Sequence, residues 1–221
     1  MQVVISGYGR MGHMVEQVLL ERGIECAGRT EDVASFPAEV AAESVCIDFT
    51  TPEAFRANYR VLAERFRAVV VGTTGWSDIA DDVRDCFKEC DTTLVYASNF
   101  SIGVNVMFAL ADLAARKLSG AGYKASIVET HHVHKLDAPS GTARSLADIV
   151  SASADVEVPI ESRRIGEVPG IHELTFESDC DRIVLTHEAY SRKGFAQGAV
   201  QAAVLAWDIK GIYEFKELIL K

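Results

Sequence analysis

Three of the chain's six histidines fall within four residues, in the run Glu129-Thr130-His131-His132-Val133-His134-Lys135-Leu136-Asp137-Ala138-Pro139-Ser140-Gly141-Thr142. Histidine exchanges a proton near neutrality. Lysine brings positive charge to a carboxylate or a developing anion. Ser140-Gly141-Thr142 leads into a helical pattern, where hydroxyls and backbone N–H groups cradle an anion. One short segment therefore combines a proton donor with two kinds of anion grip, the equipment of an active site for a small acidic molecule. The rival is a metal site, since His132 and His134 alternate on an extended segment. No HExxH is present and no second carboxylate–histidine cluster follows, so no metal is expected. Surface histidines without a role are the plainer alternative.

A second constellation stands at the start. Gly7-Tyr8-Gly9-Arg10-Met11-Gly12 follows the apolar run at residues 2–6 and precedes Val15, Val18, Leu19 and Leu20 at helical spacing. Between a strand and a helix, GxGxxG is the dinucleotide fingerprint. The first glycine permits the turn, the second admits a pyrophosphate, and the third lets helix and strand pack closely. A plain turn of another α/β fold, S-adenosylmethionine enzymes included, is the competing reading. Past the second strand come Arg29, Thr30, Glu31 and Asp32. Glu31 or Asp32 suits ribose hydroxyls, while Arg29 suits a 2′-phosphate, so NADH and NADPH both remain open. Gly72-Thr73-Thr74-Gly75 ends the fourth strand, where it is expected to line the nicotinamide side, an ordinary glycine turn being the alternative.

The elements that must position these groups alternate. Apolar runs at residues 2–6, 24–28, 45–49, 68–71 and 93–97 are separated by helical patterns, the pattern of a parallel sheet covered by helices. After Asn99 the pattern changes. An alanine-rich helix is expected over 104–118, a strand over 125–130, and then a polar loop carrying His131 and Lys135. A helix from Ala143 to about Ser151 precedes a partly irregular stretch, 152–169. Residues 171–177 and 182–189 read as antiparallel strands, and a last helix spans 198–210. The fold expected is α/β: a Rossmann-type nucleotide domain of residues 1–100 plus 192–221, with an inserted α+β domain of residues 101–191 for substrate binding and oligomerisation.

Composition narrows the function. Nearly half of the 221 residues are hydrophobic, and 22 basic residues face 32 acidic ones, a net charge of −10. That balance disfavours nucleic-acid binding, which draws on a basic surface. No stretch reaches transmembrane length, and the first residues run straight into a strand, leaving no room for a signal peptide. The five cysteines are scattered and odd in number, as in a reduced, cytoplasmic protein. Cys86 and Cys90 have no partner pair at zinc spacing.

The histidine-rich segment resembles the signature of the 4-hydroxy-tetrahydrodipicolinate (dihydrodipicolinate) reductases, Glu-x-His-His-x-x-Lys-x-Asp-Ala-Pro-Ser-Gly-Thr-Ala, unbroken here from Glu129 to Ala143. Further likeness runs through Gly9-Arg10-Met11-Gly12, Asp48-Phe49-Thr50, Gly72-Thr73-Thr74-Gly75, Asn99-Phe100-Ser101, Arg164-x-Gly166, Gly170-x-His172 and His187 to Ala196. It covers essentially the whole chain. The resemblance implies a homotetramer that uses NADH or NADPH to reduce a cyclic dicarboxylate to tetrahydrodipicolinate, in lysine and diaminopimelate biosynthesis. It implies that His131 is the general acid and that Lys135 assists proton transfer while holding a carboxylate. His132, Ser140, Gly141 and Thr142 would bind the dicarboxylate. Gly7, Arg10, Met11, Gly12, Gly72, Thr74, Ala97, Asn99 and Phe100 would surround the cofactor, with Tyr8, Gly9, Arg29, Glu31, Thr73 and Ser98 beside them. The chain departs from the family in a shortened segment between Gly28 and Val45 and in a glycine turn one residue shorter than usual. Two other function classes stay in view: a dehydrogenase of another small carboxylic acid, and a dinucleotide sensor without turnover.

Overall fold

Val3, Val4 and Ile5 are apolar in succession, so neither face of that segment suits water, and all three are completely buried. They form the inner part of β1 (Gln2–Ser6) in a computed structural model that describes residues 1–220. Along the chain follow α1 (Arg10–Glu21), β2 (Glu25–Thr30), α2 (Ala38–Ala42), β3 (Ser44–Asp48), α3 (Pro52–Arg65), β4 (Ala68–Val71), α4 (Ala80–Glu89) and β5 (Thr93–Tyr96). Next come α5 (Ile102–Leu118), β6 (Lys124–His131), α6 (Gly141–Ala154), β7 (Ile160–Arg164), β8 (Ile171–Glu177) and β9 (Arg182–Glu188). The chain closes with α7 (Lys193–Trp207), β10 (Ile212–Glu214) and α8 (Phe215–Ile219). Two compact units result: Met1–Ser101 together with the residues from Lys193 onward, and Ile102–Arg192.

The first unit is a wholly parallel sheet in the order β10-β5-β4-β3-β1-β2. One face packs Val3, Ile5, Ile47 and Val70 against α1 and α7. The other packs Val4, Val69, Val71 and Leu94 against α3 and α4 through Phe55, Leu62, Val83 and Phe87. Each of these fully buried large side chains contributes about 1.5–3 kcal/mol. Helix α3 begins where the sequence dictates: Thr51 Oγ1 accepts the Ala54 N–H at 3.2 Å, and Pro52 follows in the first turn. From β1 the chain moves outward one way to β2 and the other way through β3, β4 and β5. The strand order therefore reverses between β1 and β3, and the carboxyl ends of these strands border the crevice where open α/β sheets bind ligands.

The second unit is a mixed sheet, β7-β6-β8-β9, with β7 parallel to β6 and the other pairs antiparallel. Helices α5 and α6 cover one face, burying Met107, Ala111, Leu146 and Val150 on Ile127, Leu174 and Phe176.

The structure corrects two readings of the sequence, at His131 and at the last long helix, and adds two strands. The stretch 152–169, expected to be partly irregular, contains β7 between irregular segments. Its charged residues Glu161 and Arg163 point outward while Ile160, Ser162 and Arg164 alternate inward, so this edge strand has no apolar run to reveal it. His131, expected in a polar loop, is the last residue of β6 and is buried. The last long helix starts at Lys193 rather than Gly198 and ends at Trp207 rather than Lys210. Beyond it, Ile212–Glu214 adds a further parallel strand beside β5, too short to carry a periodic signal.

Candidate active site

In the first unit the loops at the carboxyl end of the sheet are tied to one carboxylate. Asp48 closes β3 and is buried, and it accepts bonds from Ser6 Oγ (2.7 Å), Thr73 Oγ1 (2.6 Å) and Thr50 Oγ1 (3.0 Å). Burial pushes its carboxyl above the usual range, against the pull of those hydroxyls. Thr73 in turn accepts the Thr50 N–H at 2.8 Å. Asp48 thus holds the ends of β1, β3 and β4 in one constellation.

The glycine turn sits directly above it. Gly7 adopts φ +84°, and a Cβ there would lie 2.5 Å from the Phe49 carbonyl oxygen. A Cβ on Gly12 would lie 2.4 Å from the Gly7 carbonyl oxygen, whereas one on Gly9 would meet nothing within 4 Å. The turn is therefore tight where helix meets strand and open at its middle residue. Gly9 caps α1 without a side-chain bond, and the first turn of α1 carries no acidic residue. Its N–H groups and dipole are thus not offset by any acidic side chain of that turn. These features fit a dinucleotide pyrophosphate.

The residues expected at the adenosine end are also ordered. Glu31 Oε1 accepts the backbone N–H of Tyr8 at 2.9 Å, next to the glycine turn. Asp32 instead accepts the N–H groups of Ala34 and Ser35 at 3.0 and 3.3 Å. Of the two acids, Glu31 is the one at the turn. Arg29 is ion-paired with Glu16, and its guanidinium lies 5.3 Å from the Tyr8 ring centre. Two expected cofactor residues turn inward: Phe100 is buried edge-on to Phe49, and the Thr73 side chain faces Asp48. Asn99 Oδ1 accepts the Ser101 N–H at 2.8 Å.

The second unit assembles the acid–base groups. Glu129 and His131 lie two residues apart on β6 and so share a face. Glu129 is completely buried. Its Oε2 is hydrogen-bonded to His131 Nδ1, while Oε1 accepts from Arg164 Nη2 at 2.9 Å and from the Ser140 N–H at 3.3 Å. Burial opposes the Glu129 charge, but bonds from Arg164, Ser162 and His131 outweigh it and hold its carboxyl below the usual range. For His131 burial prevails over the attraction of Glu129, so its imidazole sits below the ordinary histidine value, with Lys135 and Arg164 adding to the depression. Its other nitrogen faces Gly170: a Cβ on that glycine would lie 3.0 Å from Nε2.

Across the sheet His172 pairs with Glu129 on one side and His187 on the other. Its Nε2 is 3.1 Å from Ser140 Oγ, and its ring stands edge-on to His131 with centres 5.1 Å apart. Burial, reinforced by the charge of His131, lowers the His172 pKa to about 4. Nδ1 of His132, His172 and His187 are buried without a hydrogen-bond partner.

Lys135 Nζ pairs with Asp137 Oδ1 at 2.8 Å. Arg164 secures the same loop from β7, donating to the carbonyls of Asp137 (2.7 Å) and Lys135 (3.3 Å). Ser140 caps α6, its Oγ accepting the Ala143 N–H at 3.2 Å, and Gly141 and Thr142 open that helix. The unit thus brings His131, Lys135 and the Ser140 end of α6 around one buried carboxylate. Sequence reasoning passed over Glu129, Arg164 and His172 as site residues. The available signal was spacing: a carboxylate two before His131 on a strand must face the same way. Among the described residues no group of three or more acidic, histidine or cysteine side chains is arranged to hold a metal ion.

Two family models cover nearly the whole chain: "Dihydrodipicolinate reductase, N-terminus" matches residues 1–100, and "Dihydrodipicolinate reductase, C-terminus" matches residues 103–219. The chain belongs to the dihydrodipicolinate reductase family. The 4-hydroxy-tetrahydrodipicolinate reductase of Christiangramia forsetii is 37% identical over 233 aligned residues, covering 99% of this chain and 98% of that protein. That of Akkermansia muciniphila is 35% identical, covering 98% and 97%. Among solved structures, a dipicolinate-bound dihydrodipicolinate reductase from Paenisporosarcina sp. TG-14 superposes with a TM-score of 0.83 at 22% identity, covering 98% of both chains. The family fold is thus shared across the full length.

Proposed function

We propose that this protein uses NADH or NADPH to reduce 4-hydroxy-tetrahydrodipicolinate to tetrahydrodipicolinate, a step of lysine and diaminopimelate biosynthesis. Full-length likeness to reductases of that name supports the reaction. The observation that carries the chemistry is the buried Glu129–His131 pair beside the Ser140 end of α6.

The reduced nicotinamide supplies a hydride when bound. In the first unit Gly7, Gly9, Arg10, Met11 and Gly12 would hold the pyrophosphate against the start of α1, and Glu31 would hold the ribose. The loops after β4 and β5, Gly72–Thr74 and Ala97–Phe100, would border the nicotinamide. In the second unit Lys135, His132 and the Ser140-Gly141-Thr142 turn grip the two carboxylates. The 4-hydroxyl leaves as water together with a proton from the adjacent carbon, which leaves a ring double bond; hydride adds across that bond, and His131 would deliver the balancing proton from Nε2. Glu129 holds the Nδ1–H of the ring throughout, which orients it and steadies the imidazolium. The dianionic substrate opposes the depression of the His131 pKa and favours the charged acid once bound.

Paired kinetics and calorimetry test the assignment. His131→Gln should lower kcat by roughly 10²–10⁴. Lys135→Ala should lower kcat and also raise KM. Both variants should bind dinucleotide as the parent does. A His131→Gln variant with near-parental kcat would remove His131 as the proton donor.

A homotetramer joined through second-unit sheets is the assembly that fits. Edge strand β9 exposes Ile183 and Val184 at 41% each, an apolar edge that favours a partner. Sedimentation at micromolar concentration showing only monomer would refute it. No helix among the described residues is long and apolar enough to cross a membrane. The five cysteines are unpaired, in keeping with a cytoplasmic setting.

A further inference from the structure

We propose that Glu16 sets the cofactor preference, by holding Arg29 in an ion pair and so leaving the adenosine site suited to NADH rather than NADPH. The proposal rests on the dinucleotide-dependent reduction above. In this fold an arginine near the end of the second strand can meet a ribose 2′-phosphate, and Arg29 lies one residue before the end of β2. Glu31, two residues on, is an acceptor-only group fixed at the Tyr8 N–H. It suits ribose hydroxyls, which donate, and repels a phosphate, which only accepts. Arg29 alone could reverse that balance.

In this chain Arg29 is already engaged. Its Nη2 pairs with Glu16 Oε1, and the Tyr8 hydroxyl donates to Glu16 Oε2. The Tyr8 ring supports the guanidinium from 5.3 Å and stacks on His13 at 4.0 Å. The Glu16 side chain is 23% exposed against 50% for Arg29, so the anchor is the more enclosed partner. Glu16 sits on α1 and Arg29 on the neighbouring edge strand. A 2′-phosphate would have to draw the guanidinium from a carboxylate held by a second donor. It would also meet Glu16 and Glu31 together, two negative charges against one positive. The ribose hydroxyls of NADH make no such demand.

The experiment is a calorimetric titration of the purified protein with NADH and with NADPH at low ionic strength, where surface charges are least screened. The parent should bind NADH roughly tenfold or more tighter than NADPH. Glu16→Gln keeps the shape and removes the charge. It should tighten NADPH roughly 5- to 10-fold and move NADH by less than about twofold. Arg29→Ala closes the cycle. Alone it should leave NADPH affinity within about twofold of the parent, and in the Glu16→Gln background it should abolish the gain. Equal or tighter NADPH binding by the parent, or a Glu16→Gln variant with an unchanged NADPH-to-NADH ratio, overturns the proposal while leaving the reductase reading intact. Failure of the parent to bind either dinucleotide overturns both.

Discussion

Replacing Glu129 by glutamine changes no more than a charge and a proton pattern, yet the structure forbids the amide from doing the carboxylate's work. One carboxylate oxygen serves His131 Nδ1, and the other serves Arg164 Nη2 and the Ser140 N–H. Glutamine offers a single acceptor oxygen. With that oxygen toward Arg164, the NH₂ faces His131 and forces the tautomer whose Nδ1 accepts; the imidazolium then has two donors opposed. With the amide reversed, the NH₂ faces the guanidinium instead. Either way a charge-assisted bond worth about 1.5–3 kcal/mol is lost. Placed on the imidazolium, that loss lowers the rate of proton delivery by roughly 10- to 100-fold. Arg164, partly exposed at 20%, can turn toward water, so stability should fall by about 1–3 kcal/mol rather than the full cost of an orphaned buried charge. The assay is kcat at saturating dicarboxylate, with dinucleotide affinity and thermal melting measured on the same sample. A folded Glu129→Gln variant whose kcat stays within about threefold of the parent would refute the reasoning, since a change that leaves proton delivery untouched implies a carboxylate needed only for packing.

Gly170→Ala should place a methyl 3.0 Å from His131 Nε2 and obstruct proton delivery, lowering kcat while dinucleotide affinity is unchanged; unaltered kcat would show that Nε2 is approached from elsewhere. The pH at which rate falls on the alkaline side should be lower in kcat/KM than in kcat, because burial depresses the His131 pKa in the free protein and the bound dianion restores it; coincident profiles would contradict that coupling. His172, lowered from 6.5 to about 4 by burial, favours the neutral form. It therefore contributes stability that is complete above pH 6.5 and is lost as pH falls toward 4, about 3 kcal/mol in all. Melting of His172→Gln should accordingly depend less steeply on pH over that window, and parallel curves would remove His172 as the source.

What could be read from the sequence was what local physics dictates. Val3-Val4-Ile5 and Ala68-Val69-Val70-Val71 are apolar on both faces, so their place inside a parallel sheet followed from composition alone. The glycine turn and the run from Glu129 to Thr142 were legible because their spacing matches a chemical need. What stayed hidden depends on partners distant in the chain. Arg164 looks like a surface charge until β7 lies beside β6 and brings it to Glu129, 35 residues away. His131 seemed to begin a polar loop, because a buried imidazole is possible only once Glu129 supplies its bond. The choice between Glu31 and Asp32 could not be made from spacing. The turn after β2 separates the two: Asp32 accepts the Ala34 and Ser35 N–H groups, while Glu31 accepts that of Tyr8 at the glycine turn.

NADH consumption by the purified protein on addition of 4-hydroxy-tetrahydrodipicolinate, compared between the parent and His131→Gln, tests both the reaction and its proton donor. One dinucleotide should be oxidised for each cyclic dicarboxylate reduced. Turnover should fall by roughly 10²-fold or more in the variant, which still binds NADH normally. A parent protein that binds NADH but leaves it unoxidised in the presence of that substrate would contradict the proposed reaction.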